Sequence, residues 1–260
     1  MSQPANPSPP PAAALVTGAA RRIGRAIALD LARAGWRVAV HYQSSAADAT
    51  ELVGTIERAG GRAVALPADL ADEAETSKLV PAAAAALGPL TLLVNNAAIF
   101  EYDRPASATR ASWDRHMAIN LRAPLVLTQG LLARLPEDAD ANVINLVDQR
   151  VLNLTPHYTS YTVSKAGLWA LTQHLARALA PRVRVNAIGP GPVVPHAKMS
   201  ARAFETMIRA LPLGRSVSPE EICRAVRFIL DSPAMTGQMI TIDGGQHLGW
   251  LSPRQTQGLE

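Results

Sequence analysis

The chain has 260 residues, 48% of them hydrophobic and 18% charged, which suits one large globular domain or at most two small ones. Its one cysteine, Cys223, excludes an internal disulfide and a cysteine-rich metal site, so no metal is expected and a reducing, cytoplasmic setting fits. The net charge of +4 comes from scattered Arg and Lys, a pattern that argues against a nucleic-acid partner and still suits an anionic small molecule.

Residues 1–11 are rich in proline and carry no charged side chain, and we read them as a disordered tail rather than a signal peptide or anchor. No run reaches the length of a membrane-spanning helix, so no membrane partner is expected; even the alanines at 82–86 are few. From Ala12 the chain alternates strand and helix. The apolar run Ala12 to Val16 leads into Thr17-Gly18-Ala19-Ala20-Arg21-Arg22-Ile23-Gly24. A helix follows, with Ile23, Ala26, Ile27, Ala28 and Leu31 at helical spacing and Gly35 closing it. Strand, glycine turn and helix make a phosphate cradle: Gly18 permits the turn, Gly24 lets the helix pack close, and the helix N-terminus faces a pyrophosphate. Arg22 stands where a middle glycine is usual.

The second strand, Arg37 to Tyr42, ends in His41-Tyr42-Gln43-Ser44-Ser45 without the acid that bonds ribose hydroxyls in NAD-binding units. With Arg21, Arg22, Ser44 and Ser45 nearby, this points to a 2′-phosphate and hence NADP(H). A helix from Ala46 to Ala59 leads to a third strand, Arg62 to Leu66. Asp69-Leu70 is then placed to reach an adenine edge, and Asp69 can equally cap the helix that runs to Leu87, two roles that do not exclude each other. The fourth strand, Leu90 to Val94, runs into Asn95-Asn96-Ala97-Ala98-Ile99-Phe100, whose small residues let a cofactor lie against the backbone. Phe100 is either core or a flat surface for a planar substrate. Ser112 to Leu135 reads as one long helix with the polar Asn120 near its middle, there either to hold structure or to hold a water.

The fifth strand, Asn142 to Val147, delivers Asp148 to the sheet edge where open α/β folds bind ligands. Tyr161 and Lys165, four apart on the next helix, share one face, and the cation is expected to lower the phenol's pKa. Leu168, Leu171, Leu175 and Leu179 form an apolar stripe, read as core and secondarily as a subunit contact. The sixth strand, Val183 to Ile188, stops at Gly189-Pro190-Gly191-Pro192. Val193 to Leu213 is expected to be an irregular mobile lid. Ser218 caps a helix with Pro219 at its first position. The last strand, Gln238 to Ile242, closes at Asp243-Gly244-Gly245, and Leu248, Trp250 and Leu251 give the tail a face for a neighbouring subunit.

This order predicts an α/β fold: a Rossmann-type doubly wound parallel sheet with helices on both faces, in one dinucleotide-binding catalytic domain spanning 12–260. From Ala13 to Gly245 the chain resembles the short-chain dehydrogenases/reductases. Thr17-Gly18 to Gly24, Asp69-Leu70, Asn95-Asn96-Ala97, Asn120, Tyr161 to Lys165, Pro190-Gly191 and Asp243-Gly244-Gly245 all stand in the family's order. Where the family has a serine 13 residues before the tyrosine, this chain has Asp148. With Arg22 and Phe100, that looks like the pteridine reductase branch, which His41-Tyr42, Ser45 and Ala46-Ala47 also resemble. Two departures stand out: Ser44 replaces an arginine often set against the 2′-phosphate, and Ala98 replaces a common serine.

The resemblance implies NADPH-dependent reduction of a pterin-like small molecule, dihydrofolate being a further candidate, by a homotetramer. It gives Tyr161 and Asp148 the proton, Lys165 the nicotinamide ribose, and Asn120 a water leading to solvent. Gly18, Arg21, Arg22, Ile23, Gly24, His41, Tyr42, Ser44, Ser45, Asp69, Leu70, Asn96, Ala97, Ala98, Pro190 and Gly191 form the cofactor groove with Tyr161 and Lys165. Arg22, Phe100, Asp148, Tyr158 and Tyr161 form the substrate end. The rival readings are a short-chain reductase of a ketone such as a 3-oxoacyl thioester, and a protein that binds NADP without turnover.

Overall fold

A computed structural model describes residues 12–194 and 200–249. The expected tail at 1–11, the chain from Trp250 onward and the middle of the expected lid at 195–199 lie outside the described residues. Seven strands make one parallel sheet: β1 (Ala13–Val16), β2 (Arg37–Tyr42), β3 (Ala63–Pro67), β4 (Leu90–Asn95), β5 (Ala141–Leu146), β6 (Val183–Pro190) and β7 (Met239–Ile242). They lie in the order β3-β2-β1-β4-β5-β6-β7. The chain winds outward from β1 on both sides, so the β1/β4 boundary is the switch point at which the connecting loops part and leave a crevice.

Strand alternation supplies two cores. All four residues of β1 are fully buried. Ala14 and Val16 face a cluster with Ile27, Leu31, Ile222 and Val226, while Ala13 and Leu15 face one with Leu79, Leu127, Leu131 and Leu175. The first face is covered by α1 (Arg22–Arg33), α2 (Ala46–Arg58) and α8 (Pro219–Leu230). The second carries α3 (Glu73–Leu87), α4 (Arg110–Met117), α5 (Ala123–Leu132) and α6 (Thr159–Ala178). No described helix is long and apolar enough to cross a membrane.

The expected Ser218 cap is present: its Oγ accepts from the Glu221 backbone, and Glu221 accepts in return from Ser218 N–H. Three expectations change. Asp72, not Asp69, caps α3, because its Oδ1 lies 2.7 Å from Ala74 N. The segment 193–213 is not wholly irregular: α7 (Ala201–Arg209) starts at Ser200, whose Oγ accepts from Ala203 N–H. The long helix around Asn120 is broken by a π-type turn, Ala118–Arg122, in which Ala123 N–H reaches back to Ala118 O. Pro124 explains the widening, since it has no N–H to offer the carbonyl of Asn120 four residues earlier.

Candidate active site

The crevice at the carboxyl ends of β1, β4, β5 and β6 holds a cavity of about 610 Å³. One end is the glycine turn. Gly18 has φ +60, and its N–H donates to His41 Nδ1 at 2.9 Å. His41 is 2% exposed and its Nε2 lies 3.2 Å from Ala68 O. Nδ1 accepts, so Nε2 carries the proton, and burial holds the ring's pKa down in keeping with a neutral imidazole. His41 therefore pins the turn from beneath. Thr17 Oγ1 accepts from Asn96 N–H and Ala97 N–H, while Asn96 Nδ2 donates to Thr17 O and tightens the β1–β4 junction.

The N-terminus of α1 has no side-chain cap and no acid in its first turn. That is the donor set a phosphate needs, and the absence of a Cβ at Gly24 lets α1 pack directly against Gly18 and Asn96. Arg22, at φ +55, reaches Val194 O beyond β6, whereas Arg21 is exposed and paired with Asp48 at 2.6 Å. Ile23, Asp69, Leu70, Ala97, Ala98, Pro190 and Gly191 line the cavity. Tyr42, Ser44, Ser45 and Asn120 do not line the cavity. Tyr42 packs on the core, Ser44 is exposed, and Ser45 precedes α2. Gln43, next to Ser44, lines it instead.

The reacting end brings together side chains from two elements. Asp148, just past β5, accepts from Arg150 N–H at 2.7 Å through Oδ1 and from Tyr161 O–H at 2.8 Å through Oδ2. The phenol's pKa is consequently raised well above 10, first by burial and then by the charge of Asp148. This overturns the expected lowering by Lys165. The ammonium lies 5.9 Å from the Tyr161 ring centroid and donates to Leu146 O at 2.6 Å, pointing at the strand rather than at the phenol oxygen.

Lys165 is 2% exposed, and burial lowers its pKa to about 8. A lysine depressed in the folded state opposes folding while protonated. That penalty is full below about pH 8 and is relieved as pH rises through 8 toward 10.5. Over that window the protein is expected to gain about 3 kcal/mol relative to a Lys165→Met variant. Denaturant melts of both proteins at pH 7.5, 9 and 10 check this, and parallel curves would refute it.

Asn120 acts through its neighbours. Its Oδ1 accepts from Ile99 N–H at 2.9 Å, and its Nδ2 donates to Ile99 O and Ser164 Oγ. It thereby ties the loop after β4 to the face of α6 that carries Tyr161. Asp103 makes a second tie. Its buried carboxylate accepts from Ser160 N–H and Oγ–H at the start of α6, across 57 residues. Sequence reasoning passed over it because an acid amid exposed loop residues carries no periodic signal. Phe100 stacks on Tyr158 with centroids 4.2 Å apart at 13° and meets the edge of Tyr161 at 4.6 Å. Gln149, Arg150, Phe204 and Met207 also line the cavity, the last two from α7. The amphipathic spacing of 204 and 207 was the available signal for them.

A doubly wound parallel sheet, a glycine cradle at its switch point and a buried Tyr–Lys pair define a dinucleotide-dependent oxidoreductase. The family model described as Enoyl-(Acyl carrier protein) reductase matches residues 18–247. An uncharacterized oxidoreductase of Methylorubrum extorquens is 36% identical over 240 residues, covering 89% of this chain and 96% of that one. A 3-oxoacyl-(acyl-carrier-protein) reductase of Synechocystis is 32% identical, covering 89% and 95%. Among solved structures, FolM alternative dihydrofolate reductase 1 from Brucella canis, complexed with NADP, matches with a TM-score of 0.90 and 45% identity, covering 93% of this chain and 96% of that one. The chain belongs to the short-chain dehydrogenase/reductase family.

Proposed function

We propose that this protein reduces the C=N bond of a dihydropterin, dihydrofolate included, with NADPH. The observation that carries the reading is the 2.8 Å contact between Tyr161 Oη and the Asp148 carboxylate. A carbonyl substrate needs a neutral donor at the position of Asp148, because negative charge develops on its oxygen. A carboxylate repels that charge. It suits an aminopyrimidine ring, which presents N–H donors. The likeness to an alternative dihydrofolate reductase supports the same choice.

The cofactor is NADP(H), which when bound supplies a hydride to the ring carbon. The uncapped start of α1 faces the pyrophosphate. Of the candidates for the 2′-phosphate, Arg21 and Arg22 line the cavity and Ser44 and Ser45 do not, and β2 ends there without a carboxylate. In this reading Lys165 serves the nicotinamide ribose, and Asp69 and Leu70 the adenine. Tyr161 holds a proton that burial and Asp148 keep in place, so it acts as an acid. That proton goes to the nitrogen adjacent to the reduced carbon, turning C=N into CH–NH, and the phenolate left beside the Asp148 carboxylate, which disfavours its charge, takes its next proton from solvent. The π-type turn leaves the Asn120 carbonyl without a donor from Pro124, as a water leading from Lys165 to solvent requires.

A homotetramer in a reducing cytoplasm belongs to the same proposal. The apolar groove beside Leu121, Leu125 and Leu171 on the outer face of α5 and α6 supports the assembly. The competing reading, reduction of a 3-oxoacyl thioester, draws on the names of curated relatives. NADPH oxidation measured with dihydrobiopterin, dihydrofolate and an acetoacetyl thioester decides between them. Pterin turnover is expected, lowered roughly 10- to 100-fold in kcat/KM by Asp148→Ser, the scale of one charge-assisted hydrogen bond. Turnover of the thioester with none on either pterin would replace this reading.

A further inference from the structure

Arg150 has no part in the chemistry described so far, yet it is held at the substrate end of the cavity. It sits on a short 3-10 turn, Gln149–Val151, immediately after Asp148. Its backbone N–H anchors the Asp148 carboxylate, so the two side chains are fixed relative to each other. The guanidinium carbon stands 5.6 Å from the Phe100 ring centroid and 5.0 Å from that of Tyr158. Nη1 donates to Thr155 Oγ1 at 2.9 Å. Nε is buried and has no hydrogen-bond partner, and among the described residues Arg150 forms no ion pair.

A half-buried guanidinium without a carboxylate and with an unpartnered N–H is a cost to folding. Thr155 and two aromatic faces recover part of it. The rest would be recovered by an acceptor brought in by a ligand. The cavity supplies the shape of that ligand. Phe100 and Tyr158 stack on each other 4.2 Å apart, so a flat ring has no slot between them and would extend the stack from its outer side. Asp148 offers an acceptor, and Arg150, two residues on, offers donors. A substrate matching both has N–H donors along one edge and an oxygen acceptor beside them, as an amino-oxo-pyrimidine does. An aliphatic thioester has neither the flat face nor the donor edge.

We propose that Arg150 is a specificity-determining residue of this site, donating to an oxygen of a flat heteroaromatic substrate that stacks at Phe100 and Tyr158. This rests on the pterin reading. The oxygen belongs to a ring oxo group or to an appended carboxylate, and two substrates separate these sources: dihydrobiopterin has only the former, dihydrofolate has both.

The test compares wild type, Arg150→Met and Arg150→Lys by KM and kcat on both substrates, NADPH affinity and thermal stability. In Arg150→Met, KM rises roughly 10- to 100-fold while kcat and NADPH affinity stay near wild type. Arg150→Lys does not restore KM, because an ammonium lacks the planar fork that stacks and donates together. A rise on both substrates assigns the contact to the ring oxo group, and a rise on dihydrofolate alone assigns it to the carboxylate. Wild-type turnover with an unchanged KM in Arg150→Met overturns the role of Arg150 and leaves the pterin reading standing. A parallel loss of kcat, NADPH affinity and stability shows a structural role and also overturns it. A wild type silent on both pterins overturns the reading and this proposal together.

Discussion

Replacing Tyr161 by phenylalanine is expected to lower kcat by roughly 10²–10⁴-fold, the range a positioned general acid supplies, while NADPH binds as before. Among the described residues the phenol is the one hydroxyl hydrogen-bonded to Asp148, and burial with that carboxylate keeps it protonated far above neutral pH. Phenylalanine preserves the ring that meets Phe100 edge-on at 4.6 Å, so the aromatic corner should stay assembled. The loss then falls on the proton alone. Stopped-flow measurement of one turnover, with NADPH affinity from fluorescence titration, separates the two effects. A variant that kept a tenth of wild-type turnover would move the proton donor to Asp148. Double replacement with Asp148→Asn should cost little more than Tyr161→Phe, since residues acting as one unit are not additive.

Gly24→Ala should be the most damaging small substitution in the cofactor cradle. A Cβ at that position would lie 2.4 Å from Gly18 O, 2.6 Å from Asn96 Nδ2 and 2.9 Å from Ala19 Cα. Two of these are backbone atoms that cannot rotate away. The third is the amide that donates to Thr17 O and Gly18 O and closes the β1–β4 junction. Helix α1 must therefore move off the sheet, carrying its phosphate-facing N-terminus with it. A displacement near 1 Å in a positioned site costs on the order of 100-fold in rate, so kcat/KM should fall by about that factor and the NADPH Kd should rise with it. Overpacking should also lower stability by about 1–3 kcal/mol. Gly54→Ala in α2 is the control, since its Cβ would meet only the flexible Arg58 guanidinium. Normal NADPH affinity in Gly24→Ala would refute the close-packing account.

Local pattern decided much of this protein. Period-2 and period-3.6 apolar spacing placed the seven strands and most helices within a few residues. The alternation of the two, with right-handed crossovers, left little choice of topology. The Gly18–Gly24 turn, the Ser218 cap and the four-residue spacing of Tyr161 and Lys165 were legible because each depends on neighbours in the chain. So was the exchange of a serine for Asp148, a matter of counting 13 positions.

What the tertiary structure alone decided concerns direction and distance between elements. The spacing of Tyr161 and Lys165 suggested a lowered phenol pKa. In the fold Lys165 turns to Leu146 O while Asp148 arrives from another element, and the shift reverses. His41, expected at the cofactor groove, lines the cavity, and the fold adds a second role, a neutral pin beneath Gly18. Asp103 reaches α6 from a different loop, and Arg150 meets Phe100 and Tyr158 only because three connecting segments converge. Secondary structure follows from short-range sterics and periodic burial, which a sequence displays. A side chain's partner and protonation depend on which groups the folded chain brings within a few ångströms after excluding water, and no local window contains that information.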